Sequence, residues 1–103
     1  MILSEEYLDF ILQIPMEYTG TEGVSEVLIK IQEELGEASE AWLAVIGITP
    51  RKQGQFREVD VAKELADVVH AALVGIAKLG FDPNDLLWDQ KVKVERRRSG
   101  ASA

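Results

Sequence analysis

The sequence predicts an all-α domain, an antiparallel bundle of four helices. Apolar residues recur at spacings of three and four in three long segments, the period of a helix face. Pro15, Gly20, Gly23, Gly47, Pro50, Gly54, Gly80 and Pro83 mark breaks between segments. No stretch alternates apolar and polar residues with the period of two that a half-buried strand requires. Short connections between helices favour antiparallel neighbours.

The first segment runs from about Leu3 to Ile14. Leu3, Tyr7, Phe10, Ile11 and Ile14 form its apolar face, with Ser4 placed to cap it and Pro15 to close it. Residues 17–23 read as a loop. The second segment spans about Val24 to Ile46. Leu28, Ile31, Leu35, Ala38, Trp42 and Val45 make an unbroken seam for packing against a neighbouring helix. Residues 47–56 form a linker with a positive centre at Arg51 and Lys52. The third segment spans about Glu58 to Leu79, with Val61, Leu65, Val68, Ala72, Ile76 and Leu79 as its seam and Gly80 as its stop. The fourth opens on Asp82-Pro83-Asn84-Asp85: an N-cap, a proline suited to the first helical position, and an acid for the first turn. It runs through Trp88 into Lys91, Lys93, Arg96, Arg97 and Arg98, bases that complement the C-terminal end of a helix dipole. Residues 98–103 are expected to fray.

The 103 residues make one domain, small enough that self-association would add useful stability. With no cysteine there is no disulfide framework or thiolate site, and one histidine excludes a zinc site built on several. Charges interrupt every apolar stretch short of the roughly 20 residues a membrane span needs. The first nine residues hold three acids and no basic run, unlike a secretory signal. A cytoplasmic protein is expected, with no membrane partner. The net charge of −7 argues against binding a nucleic-acid backbone.

The chemistry lies in two acidic pairs. Glu34 and Glu37 are three apart on the second segment, as are Glu64 and Asp67 on the third. Residues three apart share a helix side, and each of these four precedes a seam position by one. Antiparallel packing along the two seams lets the pairs face each other. Four negative charges in one small volume call for a counter-ion. All-oxygen ligands select a hard cation, Mg²⁺ or Mn²⁺, and magnesium commonly shares its shell with substrate phosphates. Either pair alone reads better as a solvated helix face; the match between them brings the two readings level. Glu33 and Glu40 fall opposite the seam.

The pattern Glu33-Glu34-Leu35-Gly36-Glu37, then 26 intervening residues, then Glu64-Leu65-Ala66-Asp67, resembles the EExxE…ExxD signature of the MazG-like all-α nucleoside triphosphate pyrophosphohydrolases. The likeness covers about residues 24–80, including the loop Thr49-Pro50-Arg51-Lys52-Gln53-Gly54. It implies a MazG-type fold assembled as a homodimer or homotetramer. Glu34, Glu37, Glu64 and Asp67 would hold Mg²⁺. The reaction would be hydrolysis of a ribo- or deoxynucleoside triphosphate to the monophosphate and pyrophosphate, in nucleotide-pool house-cleaning. Glu33 matches the first motif position and would orient a water or pair with a base from another helix or subunit. The family often carries a late Lys, then Asn four on, then Arg three further. Lys91 and Arg98 match, and Glu95 stands in the place of Asn.

Lys91, Arg98, Arg51 and Lys52 are candidate phosphate ligands, with a solvated basic surface as the plain alternative. Trp42 is a core residue by its seam position, or a stacking wall for a base. His70, one turn beyond Asp67, reads as a hydrogen-bonded packing residue or the rim of the metal site. Two other functions fit the same residues: a non-catalytic helical interaction module, and a pyrophosphohydrolase acting on a phosphoribosyl nucleotide.

Overall fold

The computed structural model describes residues 2–17, 22–52 and 54–100. They form α1 (Glu5–Glu17), α2 (Glu22–Val45), a 3₁₀ turn (Pro50–Lys52), α3 (Glu58–Lys78) and α4 (Pro83–Arg98), with no strand among them. No helix among the described residues is long and apolar enough to cross a membrane.

Local chemistry explains most of the helix ends. The Tyr7 backbone N–H donates to Ser4 Oγ at 3.2 Å, so Ser4 caps α1 as its position predicts. At the head of α3 the Arg57 N–H donates to Asp60 Oδ2 at 2.8 Å. Gly80 ends α3 in the left-handed region, at φ 90°. Its N–H bonds the Ala77 carbonyl at 3.0 Å and the Phe81 N–H bonds that of Ile76 at 3.3 Å, a Schellman closure. Asp82 Oδ1 accepts from the Asn84 N–H at 2.8 Å and Pro83 occupies the first turn of α4. Asn84 Oδ1 in turn accepts from the N–H groups of Ile2 and Leu3, at 2.9 and 3.0 Å, and ties the N-terminal segment to α4.

The first of three corrections concerns helix bounds. α1 continues through Pro15 to Glu17. A proline near a helix end forfeits one main-chain bond while its ring holds a helical φ, so a further turn is tolerated. The α2 helix takes in Glu22 and Gly23, which the sequence reading gave to the loop; the rest of that loop, residues 18–21, lies outside the described residues, as do Gln53 and residues 101–103. Arg98, expected to fray, is helical.

The second correction concerns the seam. α2 and α3 pack extensively as an antiparallel pair. Their buried residues are Ala38, Ala41 and Ala44 on α2 and Ala71, Leu73, Val74 and Ala77 on α3. Leu28, Leu35, Trp42, Leu65 and Leu79 are instead 46–60% exposed. The contact surface is therefore turned by about one residue from the predicted seam. Small residues let the two backbones approach, and the leucines and Trp42 are left along one edge. Gly75 marks the closest approach: a Cβ there would lie 3.1 Å from Val27 Cγ1.

The third correction is to the bundle itself. α1 packs on α3 around Ile11, which is fully buried with Leu73 and Ala77 and covered by Leu3, Tyr7 and Leu87. α4 meets α3 only sparingly. The radius of gyration is 16.8 Å, against about 13 Å for a compact chain of this size. The fold is all-α and bundle-like, an α2–α3 hairpin with α1 docked on it, and α4 does not close a fourth side.

Candidate functional site

The helical hairpin determines which acids meet. Starting from the Val27–Gly75 contact and moving in opposite chain directions, ten residues along α2 reach Glu37 and eleven back along α3 reach Glu64. These two carboxyls are close enough to repel each other: the Glu64 pKa is raised above the ordinary 4.5 by desolvation first, then by repulsion from Glu37 and Asp67, with hydrogen bonding toward Glu37 and the charge of Glu34 adding.

Glu34 lies one turn before Glu37. Its side chain is only 13% exposed, far more covered than a helix-surface acid, because the turned seam brings it onto the contact surface. Oε1 pairs with Lys30 Nζ at 3.5 Å, an i, i+4 bridge along α2. Oε2 is buried with no hydrogen-bond partner. A buried carboxylate oxygen left unpaired is costly. Asp67 is exposed on the rim and Glu33 points outward, as its position off the seam predicts. The donor set is oxygen only and suits a hard divalent cation. The unpartnered Glu34 oxygen and the mutual repulsion felt at Glu64 fit such an ion. Among the described residues, no three ligating side chains converge closely enough to grip one as they stand.

The candidate phosphate ligands stand apart from this cluster. Lys52 is paired with Glu40 and Lys91 with Glu95. Lys91 also sits 4.7 Å from the Trp88 ring centroid. Arg51 is exposed on the 3₁₀ turn and Arg98 on the last turn of α4. Among the described residues no ion pair joins any of the four to Glu34, Glu37, Glu64 or Asp67. Trp42 is 46% exposed, so it is not the core residue its seam position predicts.

Two features escaped sequence reasoning. Lys30 is the cation next to the acids, and its i, i+4 spacing to Glu34 was a readable signal. The other is an aromatic group around His70. Tyr7 Oη lies 2.6 Å from His70 Nδ1. The Phe10 ring stacks on the imidazole at 6.0 Å and 28°, and the Tyr7 ring meets it edge-on at 5.9 Å. No pattern in the sequence pairs residue 7 with residue 70; the docking of α1 on α3 does. His70 lines a groove of about 340 Å³ that continues the acidic flank toward the start of α2, with Glu26, Val27, Lys30, Val74 and Lys78.

Comparison of the chain with protein-family models, curated proteins and solved structures found no match.

Proposed function

We propose that the protein is a Mg²⁺-dependent nucleoside triphosphate pyrophosphohydrolase, releasing pyrophosphate and the monophosphate. The observation that carries this reading is the meeting of the two acidic pairs across the hairpin, with one buried glutamate oxygen lacking any partner. The resemblance of the two motifs to MazG-like enzymes supports it.

Glu34, Glu37, Glu64 and Asp67 would hold the metal. When bound, such an ion polarises phosphoryl oxygens and lowers the pKa of a bound water. The chain's own part is positioning and proton handling. The raised pKa makes Glu64 hold a proton more readily than a free glutamate, and that proton must be off for the carboxylate to serve as a ligand. Lys30 offsets charge beside Glu34 and orients its carboxylate. Glu33, exposed one residue before Glu34, matches the first motif position, and the resemblance supports a water-orienting role for it. Water adds at phosphorus, the bond to the bridging oxygen breaks, and the released proton passes to solvent or to a carboxylate.

A homodimer or homotetramer belongs to this reading. The edge formed by Leu28, Leu35, Trp42, Leu65 and Leu79 supports it, because those large side chains lie half-exposed beside the α2–α3 contact. Sedimentation equilibrium of the full chain tests it. A second reading, a helical interaction module without turnover, is favoured by one observation: Lys91 is tied to Glu95 rather than to the acids.

The deciding experiment is pyrophosphate release from a panel of ribo- and deoxynucleoside triphosphates and phosphoribosyl nucleotides, with Mg²⁺ or Mn²⁺ and with chelator. Metal-dependent release that Glu64→Ala and Asp67→Ala abolish is the expected result. Full retention by either variant refutes the metal assignment. Silence across the panel, with no metal-dependent rise in melting temperature, favours the module.

A further inference from the structure

We propose that His70, held by Tyr7 and Phe10, is a specificity-determining residue that reads the nucleobase of a nucleotide lying in the groove beside the acids. The proposal rests on the pyrophosphohydrolase reading for which end of the ligand faces the carboxylates.

The groove lies on the same flank of the hairpin as the four acids. Lys30, which pairs with Glu34, forms part of its wall, so the groove begins where the acidic cluster ends. A ligand with its phosphates at the cluster projects its nucleoside along this groove. The volume, about 340 Å³, is at the small end of ligand pockets and suits one nucleoside rather than a larger group. Val27, Ala71 and Val74 supply an aliphatic floor for a ring, and His70, Glu26 and Lys78 supply the polar edge.

His70 is set up differently from an ordinary surface histidine. The Tyr7 hydroxyl is partly buried and has His70 Nδ1 as its partner at 2.6 Å. Donation of the phenol O–H to Nδ1 satisfies that hydrogen and assigns the imidazole hydrogen to Nε2. Phe10 stacks on the ring and restricts its rotation. With that tautomer, Nε2 is an N–H donor of fixed orientation. It suits an acceptor on a base edge, a ring carbonyl oxygen or an unprotonated ring nitrogen. A donor held this way discriminates, because a base that fails to accept leaves it unpaired.

The test uses the full chain and four nucleoside monophosphates without metal, followed by the triphosphate panel with Mg²⁺. His70 imidazole resonances report on binding, and circular dichroism reports on folding. The expected result is that at least one monophosphate shifts the His70 resonances. His70→Leu lowers preference between the best and worst bases by about tenfold, the worth of one hydrogen bond, with the fold retained. His70→Gln, whose amide N–H reaches the place of Nε2–H, restores the preference. Tyr7→Phe releases the tautomer and gives a partial loss. Unchanged base ranking in folded His70→Leu overturns the proposal, even if hydrolysis proceeds. So does the absence of any His70 shift at millimolar monophosphate. Monophosphate-induced shifts in a protein that hydrolyses nothing would remove the enzymatic reading and leave the base-reading role standing.

Discussion

Two helix-interior glycines provide a test of the hairpin register, on which the meeting of the acids depends. Gly36 and Gly75 both gain helix propensity on replacement by alanine, about 1 kcal/mol each. At Gly36 a Cβ meets nothing within 4 Å, so Gly36→Ala is expected to stabilise the chain by nearly that full amount. At Gly75 the new Cβ lies 3.1 Å from Val27 Cγ1, closer than ordinary carbon contact. Val27 must give by a few tenths of an ångström to admit it, an overpacking cost of about 1–3 kcal/mol. Gly75→Ala is therefore expected to range from neutral to about 2 kcal/mol destabilised. Because propensity is common to both, the difference between the variants isolates the packing contact at about 1–3 kcal/mol. For a chain of this length each kcal/mol moves the melting temperature by about 4–8 °C. Urea titrations followed by far-ultraviolet circular dichroism measure both at a common slope. Gly75→Ala as stabilising as Gly36→Ala would mean that Val27 does not face Gly75, and the register bringing Glu37 to Glu64 would fall with it.

Other expectations concern charge, core and caps. Glu64 has a raised pKa, so the folded state keeps that proton to higher pH than the unfolded chain; its contribution is complete below 4.5 and lost as pH rises through the raised value. Chelated protein should therefore lose stability over that window, and Mg²⁺ should raise the melting temperature at neutral pH; an unmoved melting temperature with millimolar Mg²⁺ would contradict the ion site. Ile11→Ala removes the fully buried anchor of α1 and should cost about 2–5 kcal/mol in chemical denaturation, with loss below about 1 kcal/mol showing that α1 is not docked as described. Asp82→Ala deletes the α4 cap and should cost about 0.5–2 kcal/mol, whereas Asp82→Asn should retain most of it; equal losses would exclude capping as the cause.

The caps of α1, α3 and α4 were legible because they depend on neighbours in sequence. Ser4, Gly80, Asp82 and Pro83 act within one turn of where they stand. The approach of the two acidic pairs was legible for a related reason: a three-residue spacing on two antiparallel helices leaves few other arrangements. Their relation to the contact surface was not. Hydrophobic periodicity weighs leucine and tryptophan above alanine, and so placed the seam on Leu28, Leu35, Trp42 and Leu65. Of the predicted α2 seam Ala38 is buried while its largest members are not, and burial falls on Ala38, Ala41, Ala44 and Ala71, where close backbone approach outweighs side-chain size. That one-residue turn carries Glu34 from the flank into the contact and accounts for its covered oxygen. The Tyr7–His70 pairing was beyond sequence reach, since it needs the angle at which α1 lies on α3. The sparse packing of α4 was hidden for the opposite reason: its caps and dipole complement make a good helix whatever it packs against.

The alanines also set a dimension. Interhelical spacing, about 8–10 Å, follows from the bulk of the side chains at the crossing. Ala38 and Ala41 directly follow Glu37 along α2, so the clearance between the acids of α2 and those of α3 is gauged by methyl groups that bear no charge and bind nothing. Leucine in their place would wedge the helices apart and widen every carboxylate-to-carboxylate distance, with the acids themselves untouched. The chain thus separates two jobs: glutamate and aspartate supply the charge between the helices, and alanine sets the width of the space in which that charge is held.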